Sequence, residues 1–299
     1  AEPIVLERGI DVDSRKAKVQ NFWNNRMLDT ECNVQFGEGG AGTFSDGKLT
    51  TGIKDIRIRK VFEEFVSHGA PEEILWTSKP HIGTDKLAET VKNIRNHIIS
   101  LGGQVLFGAK LCGFSSHKGC LRSVSYTKDN KESFIETENL ILASGHSSRD
   151  TFELLKKENI PLSQKKFAVG LRIEHLQTDI NKSMYGKFAD HPALDAADYK
   201  LAVHLKNNRS LYTFCMCPGG FVVASASEEN TVVTNGMSFF KRDAVNANSA
   251  LLVGVSPQDL NSPDPLAGIT FQRKLEHAAF ISGGSDYNAP VCLVGDFIN

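Results

Sequence analysis

The sequence lacks any apolar run long enough to cross a membrane. Its longest, such as Leu140–Ala143 and Ala250–Val255, fall far short of the roughly 20 residues a spanning helix needs. It also lacks an excess of either charge: 34 Lys and Arg stand against 35 Asp and Glu, so no broad electrostatic field draws the chain to nucleic acid or an anionic membrane. Its six cysteines, at 32, 112, 120, 215, 217 and 292, show neither zinc-knuckle spacing nor the density of a disulfide-stapled domain. Reduced thiols in a cytoplasmic, soluble protein with a small-molecule partner are therefore expected, and nucleic acid is not. No basic-then-apolar leader is present, and the chain opens at Ala1-Glu2-Pro3 without a Met, so the natural N-terminus is expected upstream.

What is present suits a globular protein. With 299 residues, 40% of them hydrophobic and 23% charged, the chain can bury a substantial core and form two domains. The run Ile4-Val5-Leu6 is too short for a helix and is closed by Glu7-Arg8-Gly9, which predicts a buried parallel strand ending in a turn. Asp13 to Met27 reads as a polar helix, and Leu28 to Ile53 as a long loop rich in Gly, Thr, Ser and Asp, a kind of segment usually functional in a compact domain. Leu87, Val91, Ile94, Ile98 and Leu101 recur at helical spacing, with Thr84 as N-cap and Gly102-Gly103 as stop. Alternating runs at Leu111–Phe114, Leu121–Tyr126 and Phe134–Glu136 predict an antiparallel meander, followed by a buried strand at Asn139–Ala143 and a helix at Arg149–Glu158. Beyond Pro161 the pattern turns to strands, at Phe167–Glu174, Leu201–Leu205, Leu211–Met216, Gly220–Ala226 and Thr231–Thr234, with a helix at Leu266–Phe280 expected to pack on them. The boundary expected near residue 161 divides the chain into residues 1–161 and 162–299.

Several segments can carry chemistry, and each has a plainer explanation. Glu7 follows a short buried strand, where an acid accepts from the ribose hydroxyls of a dinucleotide; surface glutamates after strands are also common. Gly37-Glu38-Gly39-Gly40-Ala41-Gly42 matches G-x-G-x-x-G, but the residues that follow it, Thr43 to Lys48, are turn formers without helical periodicity. The run reads instead as a loop that lets backbone amides approach a large ligand, or as a flexible surface loop. Lys48 adds a positive charge there, unless it is merely solvated. Gly145 to Ser148 turns at the carboxyl end of the strand expected at Asn139–Ala143, a place where open α/β sheets bind ligands, yet Ser147 or Ser148 could simply cap the next helix. Cys215 and Cys217 could relay electrons as a dithiol; strand alternation puts both on one face, which two core cysteines would also show. His175 is an isolated candidate acid or base.

Taken together, Ile4–Gly9, Phe36–Leu49, Ala143–Asp150, Phe167–His175, Tyr212–Gly220, Thr234–Ser238 and Pro265–Gly268 resemble a bacterial, largely uncharacterised family of FAD-dependent dehydrogenases, flavoproteins of glutathione-reductase-like type. The resemblance runs over nearly the whole chain. It implies an α/β fold: an incomplete, Rossmann-like FAD-binding domain over residues 1–161, lacking its first strand and glycine-rich turn, and a mainly antiparallel β plus α substrate domain over 162–299. It implies FAD as cofactor, with NADH or NADPH as a transient electron donor. It assigns cofactor contact to Glu7, Arg8, Gly37, Gly39, Gly40, Ala41, Gly42, Thr43, Ser45, Asp46, Lys48 and Gly145, and leaves Lys48, His175, Cys215 and Cys217 as catalytic candidates. Ser144 stands where the family often has Thr. Family members carry a Gly-plus-acid segment near their C-terminus; Gly295-Asp296 mimics it but is expected to be a loop or strand end. The polypeptide by itself is therefore expected to hold FAD weakly and to turn over slowly. Two other activities fit the same residues: a flavoprotein that modifies RNA, and a non-catalytic fragment of a flavoprotein fold.

Overall fold

A computed structural model describes residues 2–207 and 209–298. The first strand, β1 (Ile4–Glu7), pairs in parallel with β2 (Gln104–Phe107), in the register Ile4↔Gln104 to Glu7↔Phe107. Everything between them forms one long crossover. It begins with α1 (Val12–Asn25), whose N-cap Asp11 accepts from the amides of Asp13 and Ser14, the arrangement that satisfies orphan donors at a helix start. It ends with α3 (Thr84–Ser100), which buries Leu87 and Ala88. Between the two lies α2 (Arg57–Ser67), a helix the sequence pattern had not suggested. Its Phe62, Phe65 and Val66 pack on a small core of Ala70, Ile74, Ile82 and Leu87.

The meander forms as the alternation predicts: β3 (Lys110–His117), β4 (Cys120–Lys128) and β5 (Lys131–Glu136) make an antiparallel sheet in that order. The strand expected at Asn139–Ala143 does not form. The segment pairs with no described strand, and Ile141 is 91% exposed. Its apolar run satisfies the composition of a buried parallel strand, but a strand of that kind exists only where neighbours complete its ladder. Of the Rossmann-like sheet implied by the resemblance, the described residues show no more than one parallel pair, β1–β2. After this segment, α4 (Arg149–Lys157) follows as expected.

The C-terminal part is built on an antiparallel four-stranded sheet, in the order β6 (Phe167–Leu176), β11 (Asn246–Val255), β8 (Ser210–Cys217) and β7 (Ala202–His204). A hairpin of β9 (Gly220–Ser225) and β10 (Val233–Ser238) packs beside it. The short α5 (Gln177–Tyr185) follows β6, and α6 (Ala267–Ser282) lays Phe271 edge-on to Phe167, so the expected helix does pack on the second sheet. The Gly295-Asp296 segment is not a loop or strand end: it lies in a five-residue helix, α7 (Val294–Ile298). No helix among the described residues is long and apolar enough to cross a membrane.

Hydrogen bonds and ring contacts join the hairpin to the N-terminal half. Trp23 Nε1 donates to Ala224 O (2.9 Å), Asn235 Nδ2 donates to Phe44 O (2.9 Å), and His81 stacks on Phe240. These ties place the long glycine-rich loop between the two halves.

Candidate functional site

Arg15 organises the loop from within. Its side chain, on α1, is fully buried and donates from Nε to Asn33 O (2.9 Å), from Nη2 to Val34 O (2.9 Å), and from Nη1 to Gly37 O (3.2 Å) and Glu38 O (2.7 Å). Burial pulls its pKa down from 12.5 to about 10, so the guanidinium still carries its charge at neutral pH. The sequence offered no sign of this role, because a lone arginine in a polar helix looks solvated. Glu38 Oε2 accepts from Val12 N (2.7 Å) and pairs with Arg95, while burial pushes its pKa up.

The loop reaches Glu7 through its first glycine. Glu7 Oε1 accepts from the amides of Gly9 (2.8 Å) and Gly37 (3.0 Å). Here the backbones touch: a Cβ added at Gly9 would lie 2.5 Å from the Gly37 Cα, and one at Gly37, where φ is +113°, would lie 2.4 Å from Arg15 Cδ. Glycine is required at both positions for steric reasons. Beyond them the run from Gly40 to Phe44 winds into a single 3-10 turn with Gly39 at its N-cap (φ +83°), so a short helical turn does start inside the glycine run. Thr43 is buried and its carbonyl accepts from Thr84 Oγ1 (2.5 Å); Thr84 is thus the first residue of α3 rather than its N-cap, a place taken by Gly83. Ser45 Oγ donates back to Gly42 O (2.7 Å).

Arg8 turns away from Glu7. It lies over the Phe36 ring at 4.3 Å and binds Asp150 through both terminal nitrogens (3.0 and 2.7 Å) and Glu31 through Nε (2.8 Å). Lys110 joins the same group, 2.7 Å from Asp150. Burial alone would raise the Asp150 pKa; the hydrogen bonds and charges of Arg8 and Lys110 outweigh it and hold the carboxyl well below its ordinary range. This network fastens the start of α4, and with it the Gly145 turn, beside the end of β1. At Gly145 itself φ is +75° and a Cβ would meet nothing within 4 Å. Ser148 occupies the N-cap position without capping, and its hydroxyl donates to Ser144 O (2.6 Å) instead. Arg149 is buried and tied to Glu228 and Glu276.

At the far end of the loop Asp46 is 2% exposed and is paired with both Lys48 (2.7 Å) and Arg242 (3.0 Å). Burial would raise the Asp46 pKa, but the two cations lower it. Lys48 Nζ also lies 3.9 Å from Cys217 Sγ. Cys217 is buried, and burial pushes its pKa up, so it is a thiol rather than a thiolate. His81 is half-buried against Phe240, and burial pulls its pKa down, which keeps it neutral.

The expectation that Cys215 and Cys217 share a face is corrected. A bulge in β8, where Asn248↔Cys217 and Ala250↔Phe214 leave Cys215 and Met216 on β8 opposite the single Ser249 on β11, puts Cys215 at φ +48°. Cys215 is exposed, Cys217 is buried, and both are free thiols. Strand alternation fails because the bulge resets it. His175 does not join Lys48 and Cys217 either. It pairs with Ala247, the neighbour of Asn248, so it lies on the opposite face of the sheet, where its Nε2 is 2.7 Å from Tyr199 Oη. Burial pulls its pKa down as well.

The structure thus brings together two clusters, Glu7 with Gly9, Gly37 and Arg15, and Lys48 with Asp46, Arg242 and Cys217, at the two ends of one loop. It leaves Cys215 and His175 outside both. No group of three or more His, Cys, Asp and Glu side chains among the described residues could hold a metal ion. Two open surface clefts, lined by Ser115, Arg122 and Phe134 and by Lys18, Met27 and Leu28, lie elsewhere.

Comparison with known proteins adds the following. Residues 166–299 match the model of a family described as FAD-dependent protein, C-terminal domain-like. Over 298 residues, 99% of the chain, the sequence is 54% identical to an uncharacterized protein of Clostridium beijerinckii and spans 55% of that protein's length. Among solved structures, a glycerol-3-phosphate dehydrogenase from Bacillus halodurans complexed with FAD overlaps 92% of this chain and 53% of its own, at 11% identity and a TM-score of 0.34. The structure of CtdE in complex with FAD overlaps 84% of this chain and 59% of its own, at 12% identity and a TM-score of 0.27. Overlaps this loose do not fix a fold.

Proposed function

We propose that the chain is part of an FAD-dependent oxidoreductase that passes a hydride through bound flavin to or from a small molecule. The observation that carries this reading is the meeting of Glu7 with Gly37, since an acid for the ribose and a close-approach glycine backbone then share one place. The donor set fits the adenosine end of FAD. Both bonds to Glu7 fall on Oε1, leaving Oε2 to accept from ribose hydroxyls, and the absence of Cβ atoms at Gly9 and Gly37 keeps the backbone close. Gly39, Gly40, Ala41 and Gly42 follow as the backbone beside the pyrophosphate. The match of residues 166–299 to a FAD-dependent family supports the same cofactor.

When bound, the flavin supplies the hydride acceptor. This chain's residues bind and orient it. Asp46 holds Lys48 and Arg242 in place, and Lys48 reaches Cys217 of the other half; Thr43 and Asp46 are internal ties of the loop rather than direct ligands. The boundary near residue 161 separates a cofactor half from a substrate half. The balanced charge favours a small-molecule partner over nucleic acid, in the cytoplasm and off the membrane, and NADH or NADPH docks transiently as donor.

The test is a visible spectrum. The protein extended to the length of its Clostridium relative and loaded with FAD is expected to be yellow and to bleach on anaerobic addition of NADH or NADPH. Glu7→Ala is expected to lose the colour on gel filtration. A Glu7→Ala variant that holds FAD as tightly as the parent would sink the assignment of the ribose site, and a yellow protein that neither donor reduces would remove the dehydrogenase reading.

A further inference from the structure

Paired residues in neighbouring strands share a face, so the rows of the four-stranded sheet can be read across it. Arg172, Ala250 and Phe214 form one row, and Asn248 and Cys217 lie in the next. The hairpin covers the second row tightly: a Cβ added at Gly236 would come within 2.4 Å of Asn248 Oδ1, 2.5 Å of Arg172 Nη1 and 2.8 Å of Cys217 Sγ. It covers the first only in part, since Ala250 is buried and Arg172 Nη1 faces Gly236. Phe214 is 56% exposed, and Gly170 and Ala202, one row further along, are exposed too. What remains is a shelf on which the Arg172 guanidinium, reaching across the buried Ala250 to Asn248 and Cys215, lies near the exposed ring of Phe214.

Arg172 differs from the other half-buried arginines of this structure. Arg8, Arg95 and Arg242 each pair with a carboxylate. Arg172 donates only to neutral oxygens, those of Asn248 Oδ1 (2.6 Å) and Cys215 O (3.5 Å), and makes no ion pair among the described residues. Glu174, next on the same face, is exposed and makes none with it. Both bonds leave from Nη1. The Nε–Nη2 edge, whose two parallel donors match the two oxygens of a carboxylate, has no acceptor among the described residues. Asn248, beneath the hairpin, is fully buried, and its Nδ2 has no partner among the described residues.

We propose that this shelf binds the substrate, and that the substrate carries a carboxylate beside an apolar or aromatic body. The carboxylate sits on the free edge of Arg172, and the body lies against the exposed ring of Phe214. The proposal rests on the reading of residues 162–299 as the substrate half and adds the chemical class.

Isothermal titration calorimetry on the chain stripped of flavin tests it, with benzoate as the probe and benzamide, acetate and inorganic phosphate as comparators. Benzoate is expected to saturate, and benzamide to bind about tenfold or more weakly, since a charge-assisted bidentate pair is lost. Arg172→Gln is expected to lower benzoate affinity by a similar factor, with Arg172→Lys intermediate. Phe214→Ala is expected to weaken benzoate while leaving acetate unchanged; its side chain is exposed, so this variant decides the question if Arg172→Gln fails to fold. The proposal is overturned if benzoate gives no saturable heat, if it binds both variants as it binds the parent, or if phosphate binds more tightly and depends on Arg172, which would reassign the edge to a nucleotide phosphate. Because no flavin is present, failure here leaves the visible-spectrum test untouched, and the converse holds.

Discussion

Replacing Arg15 with Met removes a charge that the fold holds at a cost. Its pKa falls from 12.5 to about 10 on burial, which corresponds to about 3 kcal/mol of disfavoured charging. That cost is outweighed by four backbone carbonyls, of Asn33, Val34, Gly37 and Glu38, which have this guanidinium as their shared donor. In Arg15→Met the desolvation cost disappears; Gly37 O keeps the Gly40 amide and Glu38 O the Thr43 hydroxyl, but the buried Asn33 O and Val34 O lose their donor, at about 1–3 kcal/mol each. Some of them can turn towards water, because the loop is not part of a sheet. The expected net loss is about 2–4 kcal/mol, most of it from those two orphaned carbonyls. Urea unfolding gives the number, and the fluorescence of Trp23, which meets Phe44 edge-on at 5.8 Å, reports on the loop itself. Amides 33–44 are expected to exchange with solvent faster in the variant while those of β6 and β11 do not. A variant within about 1 kcal/mol of the parent, with unchanged exchange in the loop, would show that the guanidinium does not set the loop's shape.

Three further outcomes follow from the same geometry. Four of the six cysteines, 112, 120, 215 and 292, are exposed, so a thiol reagent is expected to label four rapidly in the native protein, and Cys32 and Cys217 only after unfolding; rapid labelling of all six would contradict the burial of Cys217. Replacing Cys215 and Cys217 with Ser is expected to leave flavin reduction largely intact, because the bulge separates them, and loss of turnover with FAD retained would give the thiols a catalytic part. The pKa of Asp46 is lowered on folding, so its contribution to stability is present above the ordinary aspartate value of 3.8 and lost as pH falls through the lower folded value. Asp46→Asn is therefore expected to be less stable than the parent at pH 7, with a gap that closes in acid; a gap that stays constant or widens on acidification refutes the pairing.

Much of the local structure was legible in the sequence. The spacing of Leu87, Val91, Ile94 and Ile98 determined α3, and the alternation in residues 111–136 determined the meander, because both patterns are satisfied by contacts close in sequence. The acid at the end of β1 and the glycine run were visible too, since their chemistry is local. Tertiary structure decided what required a partner distant along the chain. Whether Asn139–Ala143 is a strand depends on ladder neighbours that its own residues cannot supply. Whether Cys215 and Cys217 share a face depends on a bulge set by pairing with β11. The joining of Glu7 to Gly37, the burial of Arg15 and the unpaired edge of Arg172 all arise from side chains meeting backbone at long range. Periodicity records which face of an element is apolar, but not which distant carbonyl or carboxylate will come to meet a charge, and at those points sequence reading ended.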